Sequence, residues 1–125
     1  MRADRRLTWG DSQYLVRHYK DGISVGFTAH PSFVTEEELA AITGPLSIAA
    51  AETDNIFPVE QRHKSEEILR TTNVPWQINL FSGVEHGFAV RGDLNNPEVK
   101  FAQNGAFNQA LAWFDQHLTS PKASL

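Results

Sequence analysis

An α/β fold built on a small parallel sheet is what this sequence predicts, and three observations predict it. "PLSIAAAE", from Pro45 to Glu52, is a continuous run of small and apolar residues, as in a strand buried on both faces. "WQINLFS" alternates through Trp76, Ile78 and Leu80, the period-2 pattern of a strand. Such segments come in the order strand, helix, strand, helix, strand, helix, which is the signature of a parallel sheet with crossover helices.

Each element has its own warrant. "DSQYLVRHYK" is a short helix candidate stopped by Asp21-Gly22, with Gly in the usual C-terminal position. "ISVGFTAH", Ile23 to His30, reads as the first strand. In "TEEELAAI", Thr35 and Glu38 have the spacing of a capping box, so a helix starts there. Pro58 opens "PVEQRHKSEEILR", where proline is allowed at the first helical position. That segment is polar on most sides, which predicts a surface helix. In the last helix Phe107, Leu111, Phe114 and Leu118 are spaced four, three and four, forming one apolar stripe.

Composition narrows the function classes. A chain of 125 residues suits a single domain, 1–125, with a buried core. Its net charge of −4 argues against a nucleic-acid surface. Cysteine is absent, which excludes disulfides, thiolate metal sites and a cysteine nucleophile within the chain. His18, His30, His63 and His117 form no H-x-x-x-H or H-E-x-x-H pattern, so neither a metal nor another cofactor is expected. His63 and His117 read as helix-surface residues. No apolar stretch is long enough to span a membrane, and "MRADRRLTWG" lacks the apolar run of a signal peptide. A soluble cytoplasmic protein is the expectation.

Function in open α/β sheets collects at the carboxyl ends of the strands. Three titratable residues fall there: His30 after the first strand, Asp54 after the second and His86 after the third. Adjacent strands lie about 4.8 Å apart, so Asp54 and His86 can meet at one edge of the sheet. An Asp in that position fixes the imidazole tautomer and stabilises its protonated form. Gly83 and Gly87 flank His86 and let the loop turn sharply. The order acid, then histidine, is that of α/β-hydrolases. The plainer reading gives Asp54-Asn55 a turn-capping role before the Pro58 helix and His86 a structural one. His30 is a further candidate for lining the same cleft.

"AHPSF", "GPLSIAAAETDNIFP", "GVEHGFAVRGD" and the closing "AFNQALAWFDQHL" carry a resemblance. From about Tyr14 to Leu118 the chain resembles the C-terminal half of the dienelactone hydrolase family, its fungal branch in particular. The resemblance implies a partial α/β-hydrolase fold and the chemistry of a Cys-His-Asp triad acting on lactones and esters. It matches Asp54 to the acid and His86 to the base. Arg91 is similar to an arginine that holds the substrate carboxylate in some members; otherwise it is a solvated loop charge.

The family's G-x-C-x-G elbow has no counterpart. "RRLTWGDSQYLVRHY" is the corresponding region, and neither Thr8 nor Ser12 has the context of a nucleophile. "MRADRR" is too charged for the buried strand that precedes the elbow, so residues 1–11 form an atypical N-terminal segment. The expectation is a chain that retains acid and base, lacks the nucleophile half, and is a weak esterase or a non-catalytic binding or oligomerisation module. Without the strand leading into the elbow, Ile23–His30 would be an apolar edge, and a homodimer through it, or an aggregation-prone monomer, is expected.

Overall fold

Strand β1 (Gly26–Ala29), helix α1 (Glu36–Ala40), strand β2 (Leu46–Thr53), helix α2 (Val59–Leu69), strand β3 (Trp76–Glu85) and helix α3 (Pro97–Leu118) follow one another along the chain. The computed structural model describes residues 25–31 and 35–118. The helix expected at "DSQYLVRHYK", and Thr8 and Ser12 with it, lie outside the described residues.

The three strands form a parallel sheet in the order β1-β2-β3. Register is simple: Thr28 pairs with Ile48, and Ile48 with Ile78. The central strand explains the arrangement. Leu46, Ile48 and Ala50 point to one face and pack with Leu39, Ile42, Phe57 and Leu69 from α1, α2 and their flanks. Ala49 and Ala51 point to the other, where they meet Ala102, Ala106 and Ala110 of α3. Both faces are apolar, so both must be covered, and the crossover helices cover them. Ser47 is the polar exception among the buried residues 46–51 of this strand and is itself fully buried. It is satisfied: Gln109 Nε2 donates to Ser47 Oγ at 2.8 Å and to the Ile48 carbonyl at 3.0 Å. Ser47 Oγ in turn donates to Gln77 Oε1 at 2.9 Å. This relay ties α3 to β2 and β3 across the sheet.

The capping box forms as its spacing predicts. Glu38 N–H donates to Thr35 Oγ1, and Thr35 N–H donates to Glu38 Oε1, both at 3.1 Å. Proline 58 stands one position earlier than expected, as the N-cap of α2 rather than its first residue. That helix is a surface helix, burying Arg62, Ser65 and Leu69 on one side. Strand β3 runs three residues beyond the predicted Ser82.

One expectation about packing needs correction. The buried face of α3 is Ala102, Ala106, Gln109 and Ala110, whereas Phe107 and Leu111 are 52% exposed. The large residues suggested the wrong stripe. The sheet presents alanines here, and a Cβ on Gly105 would stand only 2.7 Å from the Phe81 ring. Close approach of helix to sheet therefore selects small residues at the contact. Around β1, Val25 to His30 are all buried, with Phe27 and Ala29 at zero exposure, although β1 pairs only with β2 among the described residues.

The assignment of faces on α3 is testable by urea denaturation. Ala106→Leu overfills the helix–sheet contact and is expected to cost about 1–3 kcal/mol. Leu111→Gln, on the open side, is expected to change stability by about 0.5 kcal/mol or less. The reverse ranking would return the buried stripe to Phe107 and Leu111.

Candidate functional site

The site is built where β2 and β3 end. Between Ala51 and Thr53 the pairing with β3 slips: Ala51 faces Phe81, but Thr53 faces Glu85. The extra residues of β3 are accommodated by Gly83, whose φ is +76° and whose N–H donates to Glu52 Oε1 at 2.8 Å. The Glu98 carboxylate fills the space a Cβ would need there, at 2.7 Å. A bulge of this kind re-aims the chain beyond it. Here it lets His86 N–H donate to the Thr53 carbonyl at 3.2 Å, so His86 leaves the sheet beside Asp54.

Asp54 uses both carboxylate oxygens. Oδ1 accepts from the N–H groups of Ile56 and Phe57, at 2.8 and 2.9 Å. Oδ2 lies 2.9 Å from Nδ1 of His86. The turn-capping contacts of Asp54 and its expected meeting with His86 are thus both made by one residue. The Asp54 side chain is 1% exposed and that of His86 20%. An ionised carboxylate only accepts, so Nδ1 of His86 carries the hydrogen and Nε2, across the ring, holds the lone pair. That is the tautomer able to take a proton from another group.

Arg91 is brought to the same place by the turn after His86. Its N–H donates to the Gly87 carbonyl at 3.0 Å. Gly87 has φ +93°, and a Cβ there would stand 2.8 Å from Arg91 Nε. The glycine therefore lets the guanidinium fold back over the turn. A cleft of about 350 Å³ opens between His86 and Arg91, with Phe88, Asp93, Asn96 and Val99 among its walls. Gln103 Nε2 donates to the Phe88 carbonyl at 3.1 Å and ties this turn to α3.

His30 is drawn into the site more closely than its place in the sequence indicated. It does not line the cleft. It is 5% exposed, and its ring meets those of His86 and Phe88 edge-on at 5.0 and 5.6 Å. Burial lowers its pKa to about 4, with the nearby His86 and Arg91 acting in the same direction. A hydrogen bond to its own backbone and the charge of Asp54 oppose that fall. The signal in the sequence was a histidine directly after a buried strand, at the edge that also holds Asp54 and His86. Two smaller outcomes complete the histidines. His63 is exposed as expected. His117, expected on the surface, is half-buried with its ring 4.3 Å from that of Trp113.

Among the described residues no group of three or more His, Asp or Glu side chains could hold a metal ion. Nor is any described helix long and apolar enough to cross a membrane.

Known proteins resemble this chain in sequence and in fold. The sequence model of the dienelactone hydrolase family matches residues 13–118. Hydrolase tropI of Talaromyces stipitatus is 57% identical over 107 residues, which are 85% of this chain and 42% of that protein. Dienlactone hydrolase 1 of Gibberella moniliformis is 32% identical over 109 residues, 86% of this chain and 41% of its own length. The chain therefore spans less than half the length of these curated relatives. Among solved structures, a Klebsiella pneumoniae protein described as a dienelactone hydrolase superposes with a TM-score of 0.69 at 15% identity. The match covers 88% of this chain and 51% of that one, and it shows that the folds are alike.

Two outcomes follow from the site's electrostatics. Asp54→Ala strands the N–H groups of Ile56 and Phe57 and unpairs His86, and an unfolding cost of about 1–3 kcal/mol is expected. Calorimetry on the folded chain would measure it; an unchanged midpoint would deny the carboxylate its structural role. For His30 the folded pKa, about 4, lies below the ordinary 6.5. The unfolded chain then binds the extra proton between those values. Its contribution is complete above pH 6.5 and is lost as pH falls towards 4. Denaturation series at several pH values should show that loss in the parent chain and a shallower one in His30→Phe. Equal slopes would contradict it.

Proposed function

The chain belongs to the dienelactone hydrolase family, and on that premise we propose that it supplies the acid–base half of an ester- or lactone-hydrolysing site. The observation that carries the proposal is the 2.9 Å contact between Asp54 Oδ2 and His86 Nδ1 at the rim of the cleft. In this reading His86 Nε2 takes the proton of the attacking group. Asp54 holds the imidazolium while the carbonyl carbon is tetrahedral. The same nitrogen then returns the proton to the leaving oxygen. Arg91 faces the cleft with a charge suited to a carboxylate on the substrate, and its planar fork favours a two-point contact.

The sequence contains no cysteine. The covalent route of a Cys-His-Asp triad therefore requires a nucleophile that these 125 residues do not supply. Loss of the nucleophile costs a triad enzyme on the order of 10⁶ in kcat, whereas a positioned base alone recovers roughly 10²–10⁴. By that margin the chain by itself is a poor esterase. The other reading, a non-catalytic binding module, is favoured by the apolar side chains left open on α3, with Phe101 at 74% exposure.

The two readings are separated by an activity measurement. The chain is mixed with the part of a relative such as Hydrolase tropI that it does not match, and release of nitrophenol from a small activated ester is followed. Turnover that appears only in the mixture and falls about 10²–10⁴-fold with His86→Ala supports the acid–base role. Turnover indifferent to His86→Ala rejects it and leaves the binding module. With a carboxylate-bearing ester, Arg91→Gln is expected to raise KM about tenfold with little change in kcat, as for loss of a binding contact shared by ground and transition states. A fall in kcat alone would remove Arg91 from substrate binding.

A further inference from the structure

We propose that His30 is a positioning residue for His86: its buried ring, edge-on at 5.0 Å, holds the His86 imidazole in the orientation that keeps Nδ1 on Asp54. The proposal deepens the acid–base reading and rests on it.

Three features of His30 are unusual for a residue that merely fills space. Its φ is +39°, a region that non-glycine residues seldom enter and that costs on the order of 1–3 kcal/mol. The strand ladder nevertheless continues to it, since its N–H donates to the Ala49 carbonyl at 2.7 Å. The backbone therefore turns sharply while still anchored to β2, and the turn delivers the ring to the sheet's carboxyl edge. Second, Nε2 of His30 is buried and has no hydrogen-bond partner among the described residues. An apolar side chain would avoid that cost. Third, the ring is clamped between His86 and Phe88.

A ring so placed restricts its neighbour. The Asp54 contact fixes one atom of His86, and a rigid edge against the side of the ring limits its rocking about that contact. The charges around the pair also agree. His86 approaches His30 from the loop after β3, Arg91 from the same loop, and Asp54 from the end of β2. Burial weighs most against charging His30, and the charges of Arg91 and of a protonated His86 add to it, while Asp54 opposes them. His30 stays neutral, so it does not compete with Asp54 for the orientation of His86.

Imidazole-detected ¹H–¹⁵N spectra of the full chain, labelled at histidine, test this without any need for turnover. The parent chain should show a cross-relaxation contact between the His30 and His86 rings. It should also show one downfield Nδ1–H signal for His86, exchanging slowly with water. In His30→Ala that signal should exchange at least about tenfold faster, because the ring is no longer held. In His30→Phe, which keeps a ring edge in place, the signal should return to nearly the parent rate. A residue that only stabilised the fold would change the unfolding midpoint and leave the His86 Nδ1–H signal as it was. Unchanged exchange in a folded His30→Ala chain overturns the proposal, as does a folded His30→Phe chain that has lost the signal. Should His30→Ala fail to fold, the ring-to-ring contact in the parent chain and the His30→Phe result decide. The base role of His86 is judged separately by the kinetics of His86→Ala, so failure of one does not mask failure of the other.

Discussion

The burial of β2 on both faces is the constraint from which the rest of the structure follows. A strand with Leu46, Ile48 and Ala50 on one side and Ala49 and Ala51 on the other cannot leave either side in water. The chain must place helices on both faces, and the parallel order of the strands follows from crossing over to do so. Parallel order sends every carboxyl end to the same edge. Three chemically capable residues stand there, His30, Asp54 and His86, because each follows a strand and none is part of one. The site is thus a consequence of a packing problem already present in the run "PLSIAAAE".

Asp54 shows how closely support and chemistry are joined. Its Oδ1 holds the turn that starts towards α2, and its Oδ2 holds His86. The turn fixes the carboxylate, so the imidazole is oriented by a group that cannot itself swing away. A carboxylate that only capped a turn would point its second oxygen at water. One that only paired with histidine would need some other element to hold it still. Here the local hydrogen bonds of a turn preorganise a longer-range contact spanning 32 residues of sequence.

Much of this was legible in the sequence, for definite reasons. Strand order, the capping box at Thr35 and the meeting of Asp54 with His86 follow from periodicity, spacing and the geometry of parallel sheets. Those signals are local or topological. The buried face of α3 was not legible, because the pattern of large residues is visible while the distance between helix and sheet is not. Phe107 and Leu111 look like core until one knows that Ala49 and Ala51 face the helix and draw Ala102, Ala106 and Ala110 against them. Gln109 is another case: a polar residue on the buried face makes sense only once Ser47 and the Ile48 carbonyl are opposite it. The burial of β1 was likewise beyond a reading based on which strand was expected to flank it. His30 was visible as a residue at the right edge, but its backbone angle and its contact with His86 are properties of the folded chain.

Backbone strain is distributed unevenly, and its location ties the fold to the site. Five described residues have positive φ: His30, Asn73, Gly83, Gly87 and Gly92. Asn73 lies in the turn between α2 and β3, at the opposite end of the sheet. The other four surround the cleft or the histidine pair. Gly83 makes room for Glu98 where β3 bulges, and Gly87 makes room for Arg91 beside His86. At these two positions glycine removes the steric cost that any side chain would meet. At His30 the cost is borne by a residue with a side chain, and the ladder bond to Ala49 holds it there. Unfavourable conformations persist only where the surroundings over-determine them. In this protein the determining surroundings are the paired strands and the two apolar layers that enclose β2. A rigid centre thus sustains a contorted rim, and that rim is where a carboxylate, two imidazoles and a guanidinium come within reach of one another.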